Sequence, residues 1–234
     1  MENTRFLKSR TFFVVVVLFF AFASKGEAQN IQLHYDIRRN CATSTVEMFR
    51  ADKYGSTFFF IDMDFSPKAV GAYTEISREL CFWKNSKLDW LSLHVEYNGG
   101  LNSAIGSFDN AWLAGLTYSG HSKDWSKTWS LSAMYKAIPG NESLNNFQIT
   151  AVWNLDFFDH WLSFNGFADF WREVRAWQDT EYIFIAEPQI WVNLNKIKGC
   201  KNFNLSVGGE VEVSANFVDK GFDVMPAVGL KWTF

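Results

Sequence analysis

The chemically capable residues of this chain sit two apart. Ser92, His94 and Glu96 alternate along one stretch. A hydroxyl, an imidazole and a carboxylate are the parts of a nucleophile, a base and an orienting acid. On one face of a strand, however, such neighbours stand roughly 6.5–7 Å apart at Cα, too far for a ready-made triad. A second set is Phe58, Phe60, Asp62 and Asp64, followed by Glu75 and Glu79. Rings supply stacking area, and carboxylates accept hydrogen bonds from hydroxyl or amino groups, which suits a small polar solute with a flat ring. Asp36, Arg38, Glu187 and the pair Glu210 and Glu212 repeat the alternation. The glycines show no phosphate-cradling pattern, and the three cysteines (Cys41, Cys81, Cys200) have no metal-ligand spacing. Neither a metal nor another cofactor is called for. The cysteines are expected as unpaired structural thiols, with Cys41 at one rim and the other two near the opposite rim.

Alternation by twos is the signature of a strand, whose side chains point to opposite faces. The period runs through 31–38, 43–51, 56–65, 72–82, 88–97, 110–119, 128–138, 146–157, 161–173, 182–194, 203–217 and 222–234. Pro188 within the tenth segment removes a ladder donor and predicts a bulge or bend. The Gly-rich stretch 98–109 reads as a long loop. The last segment places Phe222, Val224, Pro226, Val228, Leu230, Trp232 and Phe234 on one face, and ends on that Phe. A long aromatic strand with no protection is an aggregation hazard in a soluble protein. In a closed barrel it has a partner, and 222–234 is expected to pair with 31–38.

Arg5, Lys8 and Arg10 precede an apolar run over 11–23, and Gly26-Glu27-Ala28 supplies small residues at the positions a signal peptidase reads. Residues 1–28 therefore read as a signal peptide, too short in its apolar part to span a bilayer comfortably, and 29–234 as one domain. Beyond it the chain has no long apolar segment, and the mean hydropathy is −0.10. A helical membrane protein is excluded on that ground. Abundant aromatics (24 Phe, 11 Trp, 7 Tyr) with 4 Pro and half-polar strands fit an outer-membrane barrel. A secreted soluble sandwich alternates in the same way, but 203–217 and 222–234 are longer than its strands and match a tilted bilayer crossing. The formal net charge of −3 excludes a nucleic-acid-binding balance. The expected fold is all-β: a 12-stranded antiparallel transmembrane barrel of the outer membrane. Short turns are expected on the periplasmic side and longer loops outside.

With apolar faces toward lipid, the polar faces line a lumen. Asp36, Asp62, Asp64, Glu75, Glu79, Glu96, Asp156, Asp169, Glu187, Glu210 and Glu212 then point inward, with Arg38, Lys136, Lys231, His34 and His94. Phe58, Phe60, Phe167, Trp171 and Trp191 join them. Such charges either face pore water or pair into a plug. Ser92 and His94 also turn inward, away from lipid substrates, which weakens a lipid hydrolase or acyltransferase reading.

The stretches Leu33-His34-Tyr35-Asp36, 55–64 (GSTFFFIDMD) and 72–79 (AYTEISRE) resemble an outer-membrane family of Gram-negative bacteria. That family is similar, more distantly, to the Tsx-like nucleoside-specific channels. The resemblance implies a monomeric 12-stranded barrel passing nucleosides through a narrow pore of aromatic and ionisable residues. Separately, the ending on Phe234 resembles the C-terminal aromatic signature of Gram-negative outer-membrane barrels, which implies that the barrel-assembly machinery reads it. On this reading the lumen-lining candidates are Asp36, Arg38, Phe58, Phe60, Asp62, Asp64, Glu75, Glu79, Glu96, Glu187 and Glu210. The expected partners are outer-membrane lipid, the assembly machinery and a small polar solute. A plugged structural or adhesion barrel stands as the alternative.

Overall fold

A computed structural model of the chain describes residues 28–65 and 70–234. The signal-peptide reading of residues 1–28 falls almost wholly outside them. The described chain is a succession of antiparallel strands: β1 (Ala28–Asp36), β2 (Cys41–Asp52), β3 (Gly55–Phe65), β4 (Val70–Leu80), β5 (Leu91–Asn102), β6 (Gly106–His121), β7 (Lys127–Ala137), β8 (Asn145–Phe157), β9 (Leu162–Arg175), β10 (Thr180–Ala186), β11 (Gln189–Asn193), β12 (Leu205–Ala215) and β13 (Phe222–Thr233). Each pairs with its sequence neighbours. β1 returns to β13 from Asn30 opposite Thr233 to Asp36 opposite Ala227, so the sheet closes on itself. β10 and β11 both lie between β9 and β12 and are two halves of one stave. The wall is thus a 12-stranded closed barrel.

The halves are separated by Glu187 and Pro188. Ala186 faces Ala168 and Gln189 faces Asn165, so the ladder is interrupted without a change of register. A bulge was one of the two expectations; in the structure the Glu187 amide still donates to the Phe167 carbonyl at 3.0 Å, and only the bond that Pro188 cannot give is missing. Pro188 has no N–H to give, and Gly166 beneath it makes the close approach feasible. A Cβ on Gly166 would stand 2.3 Å from the Glu187 carbonyl, and its φ is +152°.

The hydrophobic pattern sets which face is which. Gln32, His34 and Asp36 are buried, whereas Leu33, Tyr35 and Ile37 between them are exposed, Leu33 at 51%. The same alternation carries Leu93, Val95, Leu116, Leu131, Ile149, Val207, Val228 and Leu230 to the outside. A belt of exposed aliphatic side chains around a polar interior is the inverse of a soluble domain and suits a hydrocarbon surround. Trp90, Trp125, Trp129 and Trp161 gather outside near the rim that holds the chain ends. Trp112, Trp177 and Tyr182 gather near the opposite one. Trp83 and Trp90 direct their indole N–H groups to the carbonyls of Leu88 (2.8 Å) and Lys87 (2.9 Å), as interfacial tryptophans do.

Two expectations change. The 98–109 stretch is not a long loop: β5 and β6 extend through it to a tight connection at 103–105. Gly99 and Gly100 are strand residues whose missing side chains make room for aromatic rings. A Cβ on Gly100 would lie 2.3 Å from the ring of Phe108, and one on Gly99 2.6 Å from the hydroxyl of Tyr97. Nor are connections on the terminal rim uniformly short, since 81–90 and 194–204 are the longest in the barrel. Each folds into successive hydrogen-bonded turns. Ser86 N–H donates to the Trp83 carbonyl, Leu91 N–H to Leu88, Cys200 N–H to Ile197 and Phe203 N–H to Cys200. Cys81 and Cys200 lie in these connections and Cys41 at the opposite rim, all unpaired.

Candidate functional site

The inward face carries two groups of charged side chains on opposite sides of the lumen. The first centres on β4 to β9. His94 lies between two carboxylates, its Nδ1 2.6 Å from Glu79 Oε1 and its Nε2 3.0 Å from Glu96 Oε2. Glu79 also accepts from the hydroxyls of Ser92 and Thr117. Both ring nitrogens of His94 are therefore occupied, and Ser92 donates to Glu79 instead of to His94. This is not the arrangement of a nucleophile and its base. Lys136 donates from Nζ to Gln148 Oε1 at 2.7 Å and lies 4.4 Å from the centre of the Trp171 ring. Glu75, Glu96, Asp169 and Glu173 surround it within Coulombic range. Trp171 donates to Glu173, which also pairs with Arg175 at 3.2 Å.

The second group joins β1–β3 to β11–β13. Asp36 is tied into the rim turn that follows it: Oδ1 accepts from the amides of Arg38 (2.8 Å) and Arg39 (2.6 Å), and Oδ2 from Arg39 Nε (2.5 Å). Asp62 accepts from Thr45 at 2.5 Å and Asp64 from Thr43 at 2.8 Å. Glu210 accepts from Gln189 at 2.9 Å and faces His34 Nδ1 at 3.5 Å. Glu187, at the stave break, lies within Coulombic range of Glu210, Asp62 and Glu212. Lys231 lies 4.6 Å from the ring centre of Trp191, which is fully buried. Trp191 faces Gly208 across the β11–β12 ladder, and a Cβ on Gly229 would come within 3.2 Å of its ring. Glycines thus provide the recess that a Trp needs inside a barrel wall.

Between the two groups runs a row of aromatic rings. Phe58 and Phe60 stand 6.1 Å apart, Phe60 and Tyr73 6.1 Å, and Tyr73 and Phe108 6.3 Å in a stacked pair. Tyr73 donates to Glu75 at 2.8 Å, which couples the row to the first acidic group. The space nearer the terminal rim is water-accessible. Val152 belongs to the inward face, opposite Phe167, yet is 44% exposed.

The structure places Phe58, Phe60, Asp62, Asp64, Glu75, Glu79, Glu96, Glu187 and Glu210 on the lumen side, the carboxylates in two clusters and the two rings between them. Asp36 faces inward but serves its own turn. Arg38 is not on the lumen wall. It follows the end of β1, is largely exposed, and pairs with Asp223 at the rim. Its neighbour Arg39 reaches Asp36 and, at 3.7 Å, Glu212. Sequence reasoning passed over Arg39, Glu47, Tyr73 and Phe108. Glu47 and Tyr73 follow the same period as Thr45 and Glu75 and could have been found that way. Phe108 was hidden in the misread loop.

No curated protein matches the chain in sequence. Among solved structures it is similar to the NanC porin (TM-score 0.58, 7% identity, 88% of this chain and 100% of that one). It is also similar to the KdgM porin in complex with disordered oligogalacturonate (TM-score 0.51, 10% identity, 88% of this chain and 99% of that one). At these identities the likeness is one of fold. A family model described as "Domain of unknown function (DUF5020)" matches residues 28–234, and the chain belongs to that family.

Proposed function

We propose that the chain is a narrow outer-membrane channel for small polar solutes, with nucleosides as the leading candidates. It is exported by residues 1–28, inserted as a monomer by machinery that reads Phe234, and oriented with its terminal rim toward the periplasm. The observation that carries the reading is the aromatic row Phe58, Phe60, Tyr73 and Phe108 running along the lumen beside the carboxylates of Asp62 and Glu75. A ring that slides over such a row keeps its stacking contacts, while carboxylates exchange hydrogen bonds with its hydroxyl and amino groups. The KdgM porin of similar fold was solved in complex with oligogalacturonate, an acidic polymer. A lumen with an excess of carboxylates repels such a solute, so the shared fold does not carry that preference over.

Planar-bilayer recording on the refolded protein tests the channel. Conductance that adenosine or thymidine reduces in a saturable way supports it, and Phe60→Ala should weaken that block several-fold. A second reading is a structural barrel with a filled lumen, favoured by the buried Lys136, Trp171, Glu173 and Arg175 group. A complete lack of conductance, with nucleosides neither binding nor blocking, overturns the channel and leaves the structural barrel.

A further inference from the structure

His34 is 3% exposed, and its hydrogen bonding can be assigned. Gln32 Nε2 donates to Asn30 Oδ1 at 2.9 Å and faces Glu47 Oε2 at 3.4 Å. A carboxylate accepts and does not donate, so the amide nitrogen of Gln32 must be the group turned to Glu47. Its Oε1 then faces His34 Nε2 at 2.9 Å, and Nε2 must carry a hydrogen. In the neutral ring Nδ1 is left as a bare lone pair. Among the described residues it has no hydrogen-bond partner. The charged group opposite it, Glu210 Oε1 at 3.5 Å, is also an acceptor. Two buried acceptors facing each other are stable when a donor hydrogen lies between them, either a proton on Nδ1 or an N–H brought from outside.

The surroundings favour a cationic N–H. Asp62 and Glu187, both half-buried, lie within Coulombic range of Glu210. The nearby protein cations also have other contacts: Lys231, within Coulombic range of His34, lies over Trp191 and near Glu47, and Arg39 holds Asp36 and Glu212. Gly229 lines the imidazole closely: a Cβ there would stand 3.1 Å from His34 Nδ1 and 3.2 Å from the Trp191 ring, so any side chain at 229 would crowd this spot. Among the described residues no acidic or histidine group is arranged to hold a metal ion, which points to an organic cation. We propose that the lumen contains a subsite for a primary ammonium or guanidinium group, whose N–H bridges His34 Nδ1 and Glu210 while Asp62 and Glu187 draw it from the pore. Resting on the channel reading, this adds to the ring-bearing solutes a second class, those that carry a protonated amine.

The test is calorimetric titration of the refolded barrel in detergent micelles with putrescine. Its fully methylated bis-quaternary analogue, which keeps the charges and lacks N–H groups, is the comparison. Saturable putrescine binding is expected, weakened at least about tenfold in the analogue and in Glu210→Gln. Glu187→Gln should weaken it less, and Asp124→Asn in a rim turn should leave it unchanged. Gly229→Ala, checked for heat-modifiable mobility, should also weaken binding if Glu210→Gln fails to fold. Absence of putrescine binding, equal binding of the analogue, or indifference to these substitutions overturns the subsite. The titration needs no conduction. Binding without conductance therefore sinks the channel and keeps the subsite, and conductance without binding does the reverse.

Discussion

The amide of Phe234 donates to the carbonyl of Gln29 at 2.9 Å, so the last residue of the chain closes the seam next to the first described strand. Strand β13 is thereby paired on both sides, with β12 and with β1. The C-terminal aromatic strand has no open edge.

Phe234→Ala should therefore act on assembly. The fraction of chain that migrates as the compact, heat-modifiable form after expression is expected to fall several-fold. Conductance per inserted molecule should stay at the wild-type value, because Phe234 lies at the rim and outside the aromatic row. Normal insertion of the variant would show that closure does not depend on this side chain.

The stave break gives a second prediction. Gly166→Ala forces a Cβ against the Glu187 carbonyl at an unfavourable φ, and should cost about 2 kcal/mol in urea unfolding from micelles. Pro188→Ala restores an N–H opposite Val211 and should add up to about 1 kcal/mol. An unchanged midpoint for Gly166→Ala would mean that the wall relaxes there.

How much of this was legible beforehand differs by region. The period-2 pattern located the staves and the inward face, because each register slip would have turned Asp62 or Glu210 into lipid. It failed where side chains are missing, as at Gly99 and Gly100, whose place is taken by the rings of Phe108 and Tyr97. It also failed at Arg38, since periodicity does not say where a strand stops and Asp36 ends β1 by capping the turn. The clusters themselves were not legible. Which acid meets which base depends on staves far apart in sequence, such as β1 and β12 for His34 and Glu210.

The Glu79, His94 and Glu96 arrangement predicts a third outcome. His94→Ala leaves two half-buried carboxylates without their shared donor and should cost about 2 kcal/mol in unfolding experiments. Adding Glu96→Gln removes one charge and should recover part of that loss. Equal cost in the single and double variants would show that His94 acts through packing alone.

A fourth prediction concerns pH at the rim. Asp124 accepts from the hydroxyls of Ser122 (2.5 Å) and Ser126 (2.9 Å), which lowers its pKa to about 2. An unfolded Asp titrates near 3.9. The native turn favours the ionised form, so its contribution is complete above about pH 4 and is lost as pH falls through about 2. A carboxyl NMR titration in micelles should place the Asp124 midpoint near 2. Asp124→Asn should lose less stability than wild type across that window.

The gap at Pro188 reaches beyond the solute pathway. Val211 N–H donates to the Pro188 carbonyl at 3.1 Å, but proline cannot return the bond. The Val211 carbonyl is left without its ladder donor, midway along a wall that the bilayer would otherwise seal. Amide exchange should accordingly be faster on the segments flanking residues 166, 188 and 211 than in the β1–β13 seam. Such a pattern would mark this break as the point at which solvent enters when the barrel breathes.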